Sequence, residues 1–329
     1  MSTISELARA KQKNRIYMVL VIFGIATALM FAGLFFYNQR PSAIRNFENP
    51  YPLIDPARSF IAQEDFIVNI QPLRESLRAA TSEFGDDLIS IYVEYLNTGA
   101  NISINPENNI WPASLAKVPL AIAAMKKIEE GEWTLSNELV LLERDRDERS
   151  GAEEGRLFEE PIGTRFTIEK LLEEMLINSD NTAFRILLRN IHNDDIEQIV
   201  EETGMEQLFT VDGKISAKEY SRMLRSLYVS SFLSRENSER ILQWLDEAPF
   251  DDFLAHPIPA DVPFAHKYGT KISLNTYADA GIVYLLERPY LITVLVQGDQ
   301  KKPFAGERAQ AAAFMQEISA ITYEYFSSR

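Results

Sequence analysis

The sequence predicts an α/β fold of the α+β kind, in which one antiparallel sheet is formed by both ends of the chain and packed with helices. Strand-like segments occur early in the folded part and again near its end, whereas the segment between them has apolar residues at helical spacing. An all-helical subdomain is therefore expected between the two groups of strands. A long uncharged segment near the N-terminus also predicts one transmembrane helix ahead of the folded part.

The N-terminal region is typical of a membrane anchor. Residues 16–37 run from Ile16 to Tyr37 without a charge, and a helix of these 22 residues spans roughly 33 Å, slightly more than a hydrocarbon core. Residues 1–15 carry a net charge of +3, and since the whole chain carries −15, the remainder carries −18. The positive-inside rule predicts a cytoplasmic tail over 1–15 and an extracytoplasmic remainder. A cleaved signal peptide and a buried helix are the alternative interpretations.

The segment after the span predicts a stalk followed by one folded domain. Residues 38–58 contain four prolines and no periodic apolar pattern, which is typical of a semi-extended linker. The folded domain is expected over 59–329, with its helical subdomain at about 118–250. Its predicted elements are a helix ending near Phe84, a hairpin over 88–104, strands at 262–269, 277–286 and 290–298, and a helix over about 307–326.

Composition and motif content exclude several chemistries. The chain has no cysteine, which rules out a disulfide scaffold, thiolate metal sites and a thiol nucleophile. Its acidic charge argues against a nucleic-acid partner, because phosphate neutralisation requires a basic surface. The histidines at 192, 256 and 266 lack metal-ligand spacing, and no G-x-S-x-G, P-loop or dinucleotide motif is present.

Three short motifs remain that can carry chemistry. Ser114 and Lys117 form an S-x-x-K motif, and a helix there would bring the hydroxyl and the amine one turn apart on one face. Residues 179–181 read S-D-N between two helical segments, and residues 267–270 read K-Y-G-T at the end of an apolar strand. Each motif alone has an ordinary interpretation: S-x-x-K arises about once by chance in such a chain, S-D-N suits a helix N-cap, and a lysine often ends a strand.

Taken in this order and in these settings, the motifs resemble those of the penicillin-recognising serine hydrolases, and most closely the class A β-lactamase family. The flanking segments PASLAKVPLAIAAMKKIEEGEWTLSNELVL, GTRFTIEKLLEEMLINSDNTA and AHKYGTKISLNTYADAGIVY are also similar to segments of that family. The resemblance covers about residues 87–326. It implies a β-lactamase/transpeptidase-like fold and a reaction through an acyl-enzyme.

The resemblance implies a catalytic role for residues of all three motifs. Ser114 would attack the carbonyl carbon of a strained or activated amide while Lys117 takes its proton, and Ser179 would pass a proton to the departing nitrogen. Lys117 must then be neutral for part of the time, which burial and the charge of Lys267 favour. The backbone N–H groups of Ser114 and Thr270 would form the oxyanion hole, and no metal or organic cofactor is needed.

The same resemblance implies the substrate contacts. Asn181 would hold the amide side chain of the substrate, and Lys267 with the Thr270 hydroxyl would bind its carboxylate. The motif continues through Tyr268 and Gly269, and here the chain departs from the family, which usually has Ser or Thr in the middle position. We therefore expect the phenol of Tyr268 either to reach the substrate differently or to face away.

A second departure concerns the removal of the acyl group. Residues 201–218 read EETGMEQLFTVDGKISAK, without the E-x-x-L-N motif that activates the deacylating water in class A enzymes, and they are too few for the full omega loop. Glu206 and Asp212 are the carboxylates that could substitute. Since loss of a positioned base slows a step by about 10²–10⁴-fold, acylation is expected to persist and turnover of β-lactams to be slow.

These observations lead to one expected function with two alternatives. We expect a membrane-anchored serine hydrolase outside the cytoplasmic membrane of a bacterium, acting on a β-lactam. One alternative is a D-alanyl-D-alanine peptidase, or penicillin-binding protein, that acts on D-alanyl peptides of peptidoglycan. An alternative of another class is a non-catalytic sensor of cell-wall peptide or penicillin, against which the complete set of motif residues argues.

The charge asymmetry yields a test of topology. A protease added outside intact cells or spheroplasts should digest the chain after Asn38 and spare residues 1–15, because the basic tail is retained in the cytoplasm. Immunoblotting with tags at both ends measures this. Cleavage of the N-terminal tag with protection of the C-terminal domain would contradict the orientation.

Overall fold

The computed structural model describes residues 51–54, 69–84, 88–147, 155–205 and 213–328. Its longer elements follow the expected order of helix, hairpin, helical block, three strands and final helix. They are α1 (Gln71–Phe84), β1 (Leu88–Tyr95), β2 (Ala100–Ile104), α2 (Lys117–Glu129), β3 (Glu138–Val140), β4 (Arg165–Thr167), α3 (Ile168–Leu176), α4 (Asn181–Asn190), α5 (Asn193–Thr203), α6 (Ala217–Tyr228), α7 (Arg235–Asp246), β5 (Phe264–Lys271), β6 (Thr276–Val283), β7 (Tyr290–Gln297) and α8 (Phe304–Ser327).

The central sheet is formed by both ends of the chain, which confirms the predicted architecture. Its strand order is β2-β1-β7-β6-β5 and its neighbouring strands pair antiparallel. Strands β6 and β7 are buried along nearly their whole length, because helices cover both faces of the sheet. Such burial explains their almost continuous apolar sequences. β5 is an edge strand, and Tyr268 and Gly269 pair there with Asp279 and Ala278 of β6.

Two apolar clusters hold the helices against the sheet. On one face, which we call the back, residues of α1 and α8 such as Leu77 and Phe314 pack against β5 side chains such as Phe264 and Tyr268. On the other face, the front, the helical block packs against small side chains of β5 and β6, among them Ala265 and Ala280. Almost every residue of α2 is buried, because this helix lies in the front cluster. The site motifs therefore surround a helix with little freedom to move.

The inserted subdomain is not all-helical, which corrects the prediction. Strands β3 and β4 pair antiparallel, with Leu139 opposite Phe166, and the backbone N–H of Leu141 continues the contact to the carbonyl oxygen of Thr164. Each strand has only three residues, which is too short for an alternating pattern to be visible in the sequence.

Four residues of the predicted stalk pack on the folded domain. Leu53 and Ile54 are buried in the front cluster, and the backbone N–H of Leu53 donates to Glu239 of α7 at 2.9 Å. Burial raises the pKa of the Glu239 carboxyl. Tyr284 donates from its hydroxyl to the carbonyl oxygen of Leu53 at 2.9 Å. Residues 51–54 therefore belong to the packed part of the chain.

Several predictions concern residues outside the described ranges. They are the cytoplasmic tail, the span from Ile16 to Tyr37, most of the stalk, and the two carboxylates Glu206 and Asp212. Among the helices in the described part of the chain, none combines the length and the apolar character that a membrane crossing requires.

Candidate active site

The predicted nucleophile lies on a tight turn that leads into α2. Residues Ala113–Ala116 form a 3₁₀ turn after Pro112, and Lys117 is the first residue of α2. Ala113 has a φ of +51°, a left-handed conformation that is uncommon outside glycine. The hydroxyl of the half-buried Ser114 and the amine of Lys117 are thereby brought together, with Nζ 3.0 Å from Oγ.

Lys117 is buried at the centre of the site, with 2 % of its surface exposed. Its Nζ also lies 3.0 Å from Ser179 Oγ and 2.8 Å from Asn181 Oδ1, and it contacts the carbonyl oxygen of Ser179. An ammonium has three N–H donors for these four oxygens. A neutral amine would keep two donors for the carbonyl groups, and its lone pair would accept a proton from a serine hydroxyl. The geometry is thus compatible with a general base.

The S-D-N motif forms a strained turn before α4. Ser179 is buried and has a φ of +54°. Asp180 caps α4 by accepting the N–H of Ala183 at 2.6 Å, and it also accepts the N–H of Leu157 at 2.9 Å. Burial raises the pKa of Asp180, and these two hydrogen bonds and the nearby Lys117 partly offset that rise. The N-cap interpretation of S-D-N is therefore correct for Asp180, while Ser179 and Asn181 contact Lys117.

Strand β5 approaches the nucleophile at Gly269. A Cβ at this position would lie 2.6 Å from the backbone nitrogen of Ser114 and 3.1 Å from the carbonyl oxygen of Pro112. No other residue type fits without displacing backbone. Thr270, the next residue, is half-buried, and its N–H is the second predicted oxyanion donor. The glycine thus brings the strand end against the turn that carries Ser114.

The other two residues of this motif are buried. Lys267 is fully buried, with its ammonium 4.6 Å from the centroid of the Tyr268 ring. Tyr268 is 7 % exposed and stacks on Phe250, with ring centroids 3.5 Å apart, within the back cluster. Of the two expectations for Tyr268, the structure favours the one in which the side chain faces away from Ser114, since Gly269 alternates with it along the strand.

Both described ends of the shortened 201–218 segment are fixed. Gly204 ends α5 in the left-handed conformation and Met205 is buried. At the far end, Gly213 packs on the ring of Trp111, and Ile215 forms a bridge to Ile110, four residues before the nucleophile. Seven residues connect the two ends. The far end of the segment therefore lies beside the turn that carries Ser114.

Two buried side chains with a bearing on the site were missed by the sequence analysis. Tyr220 of α6 donates from its hydroxyl to the carbonyl oxygen of Leu115 at 3.1 Å, and burial raises the pKa of this phenol well above its usual value. His266 lies 2.8 Å from Asp279 beside Lys267. In the sequence, Tyr220 is marked only by the helical spacing of the apolar residues around it. His266 is marked only by its position next to Lys267, a motif residue.

The described residues also line clefts that lie away from Ser114. One of about 380 Å³ lies behind the start of β5 and includes His256, Phe250 and His266 in its lining. It contains neither Ser114 nor Lys117. Within the described ranges, no group of three or more His, Asp or Glu side chains could hold a metal ion.

Fold and site together define a penicillin-recognising type of serine hydrolase. The sequence matches the Beta-lactamase enzyme family over residues 72–326, and the chain belongs to this family. A Beta-lactamase from Streptomyces fradiae is 24 % identical over 211 residues, which are 59 % of this chain and 68 % of the relative. The Beta-lactamase regulatory protein BlaB from Streptomyces cacaoi is 30 % identical over 142 residues, 43 % of this chain and 44 % of the relative.

Solved structures agree on the fold. PBP-A has a TM-score of 0.69 and 20 % identity, with 79 % of this chain and 97 % of that chain covered. A mutant of PBP-A in an acyl-enzyme complex with penicillin G has a TM-score of 0.68 and 19 % identity, covering 79 % and 98 %. The beta-lactamase from Sphaerobacter thermophilus has a TM-score of 0.67 and 18 % identity, covering 80 % and 99 %. The β-lactamase-like fold is thereby confirmed.

The contact at Gly269 can be tested with two matched substitutions. Gly269→Ala should reduce acylation of Ser114 by about 10²-fold or more, because the new methyl group displaces the strand end from the nucleophile. Gly306→Ala in α8 should leave acylation unchanged, since no atom lies within 4 Å of its added Cβ. Stopped-flow or gel-based acylation rates measure both. Equal rates for the two variants would show that the close approach is unimportant.

Proposed function

We propose that this protein is a membrane-anchored, extracytoplasmic hydrolase that forms an acyl-enzyme through Ser114 with β-lactams and releases the acyl group slowly. The observation that carries the proposal is the contact of Lys117 Nζ with Ser114 Oγ, Ser179 Oγ and Asn181 Oδ1. One buried amine thus joins the nucleophile to the proton-transferring hydroxyl and to the amide that would orient the substrate. Anchoring rests on the uncharged segment from Ile16 to Tyr37 and the basic tail before it.

The acylation step follows from these contacts. Neutral Lys117 accepts the Ser114 hydroxyl proton as Oγ attacks the carbonyl carbon, so that an O–C bond forms and the carbonyl electrons move to oxygen. The N–H groups of Ser114 and Thr270 stabilise this oxyanion. When it collapses, the C–N bond breaks and the nitrogen takes the proton of the Ser179 hydroxyl, which is replaced across a 3.0 Å contact by the proton that Lys117 had accepted. The proton lost by Ser114 is thereby balanced by the one gained by the leaving nitrogen.

Substrate binding is assigned to the end of β5 and to the start of α4. Lys267 would bind the carboxylate of a penicillin or of a D-alanyl peptide, with the Thr270 hydroxyl beside it. Asn181, at the start of α4, would hold the amide side chain. A cation in this position matters because the chain as a whole carries −15, so an anionic substrate needs a local positive site.

The fate of the acyl-enzyme separates the candidate activities. The absent E-x-x-L-N motif supports slow release of a penicillin, and a D-alanyl-D-alanine peptidase acting on peptidoglycan is the alternative enzyme. The structural neighbour PBP-A gave, as a mutant, an acyl-enzyme complex with penicillin G. A long-lived adduct also suits a sensor, and the similarity to the regulatory protein BlaB favours this second candidate function.

The nucleophile is tested by covalent labelling. A fluorescent penicillin should label the wild-type protein, and Ser114→Ala should abolish labelling while circular dichroism shows an intact fold. Lys117→Ala should slow labelling by about 10²–10⁴-fold, as for the loss of a general base. Undiminished labelling of the Ser114→Ala variant would refute the assignment. Peptide mapping would then identify the residue that carries the label.

The lifetime of the adduct tests slow release. Mass spectrometry should show a penicillin adduct that persists for minutes or longer, and hydrolysis should show a burst of one equivalent per site followed by a weak steady state. The comparison substrate is a depsipeptide that ends in a D-alanyl analogue. Its smaller leaving group departs when the acyl-enzyme forms. A penicillin kcat in the ordinary range of about 1–10³ s⁻¹ without a burst would contradict slow release. Glu206→Gln and Asp212→Asn would then locate the base.

A further inference from the structure

The back of strand β5 carries a buried histidine–aspartate pair that the acylation step does not use. His266 Nδ1 lies 2.8 Å from Asp279 Oδ1, and the two side chains are 3 % and 0 % exposed. The second carboxylate oxygen of Asp279 accepts the backbone N–H of Leu254 at 3.0 Å. The pair therefore joins β5, β6 and the chain segment between α7 and β5 through side chains. We call His266, Asp279 and Leu254 the brace.

The brace supports a strand that has a partner on one side only. β5 is at the edge of the described sheet and pairs with β6 alone. Gly269 of this strand is held from the front by its close approach to the backbone of Ser114, whereas the brace acts at His266, one residue before Lys267. Backbone hydrogen bonds along one edge leave the strand free to twist or slide outward. Side-chain links behind it reduce that freedom.

A second link reaches the same segment on the other side of Lys267. Tyr268 stacks on Phe250, and Phe250 makes an edge contact with Phe253, beside Leu254 of the brace. The ring of Tyr268 also lies 4.6 Å from the Lys267 ammonium. Lys267 is thus flanked in sequence by two residues that are linked to residues 250–254, Tyr268 directly and His266 through Asp279.

The buried carboxylate of Asp279 fixes the orientation of the His266 ring. A fully buried carboxylate needs donors for its oxygens, and those of Asp279 accept from the Leu254 N–H and from the His266 ring. With Nδ1–H donating, the imidazole is held in one orientation, stacked on Phe264 with ring centroids 4.4 Å apart. Loss of this donor leaves a buried acceptor unsatisfied, so β5 and β6 would shift to admit water or another donor.

We propose that His266 and Asp279 are positioning residues, which hold the Lys267 ammonium where the substrate carboxylate binds. The inference rests on the proposed function, because it takes Lys267 as the carboxylate site and Ser114 as the nucleophile. The inference predicts a selective effect. Loss of the His266 donor should slow acylation by a substrate that has a carboxylate more than it slows reaction with a reagent that has none. A general loss of structure would impair both.

The experiment compares two reagents on four variants. Second-order rate constants are measured for a penicillin, which has a carboxylate, and for an uncharged fluorophosphonate, which modifies a nucleophilic serine without one. His266→Phe keeps a ring and removes the donor, and His266→Asn keeps a donor at the position of Nδ1. Phe314→Leu is the control, because it removes a ring of the same back cluster that contacts Phe84 of α1. Lys267→Ala sets the full effect of losing the ammonium.

For His266→Phe, the ratio of the penicillin rate to the fluorophosphonate rate should fall about tenfold or more, towards the ratio of Lys267→Ala. His266→Asn should recover the ratio to within about threefold of wild type. Phe314→Leu should leave it unchanged. An unchanged ratio in His266→Phe, or a ratio in His266→Asn as low as in His266→Phe, would overturn the inference.

Folding is controlled by thermal unfolding of each variant. If His266→Phe does not fold, Asp279→Asn, which removes the charge at nearly constant volume, decides by the same ratio. Different results would refute the proposed function and the role of the brace. A wild-type protein that penicillin does not acylate at Ser114 would refute the proposed function, whereas normal acylation with an unchanged ratio in the variants would refute only the role of the brace.

Discussion

The architecture depends on the burial of one amine, that of Lys117. Withdrawal of an ammonium from water is costly unless other polar groups replace its hydration. Here the replacing oxygens come from two parts of the chain: Ser114 on the turn before α2, and Ser179 and Asn181 at the start of α4. The contacts that make this burial tolerable are also those that bring together the residues proposed as nucleophile, base and proton-transferring hydroxyl. Stability and assembly of the site therefore have a common cause.

Two of the six non-glycine residues with a left-handed backbone in the described part of the chain belong to the site. Ala113 and Ser179 both have left-handed backbone conformations, which cost about 1–3 kcal/mol each for residues other than glycine. Ser179 is held by Lys117 and by the Asp180 cap that follows it. Ala113 is held where the turn meets Gly269. Strain of this size persists only when surrounding contacts fix the conformation, and it fixes the serines before any substrate binds.

The sequence predicted the elements whose signal is local. The first helix, the hairpin and the three late strands have apolar patterns long enough to identify, and the S-x-x-K and S-D-N segments are contiguous motifs. What it could not provide were contacts between distant residues, such as the hydrogen bond from Tyr220 to Leu115, 105 positions apart. The orientation of Tyr268 was left open because strand alternation relative to Ser114 depends on which face of β5 approaches the turn. Strands of three residues left no detectable pattern.

Under the proposed function, acylation and release depend on different parts of the chain. Acylation depends on α2, the start of α4 and the end of β5, where the described geometry brings the motif residues together. Release depends on a water near the acyl group, and the segment that positions it in class A enzymes is reduced here to seven residues between Met205 and Gly213. Gly213, at the end of this segment, packs on Trp111, three residues before Ser114. The contacts of Lys117 with Ser114, Ser179 and Asn181 all lie outside the segment. The acylating half could therefore be retained while the rate of release is tuned, which is how a hydrolase and a penicillin sensor could share one site.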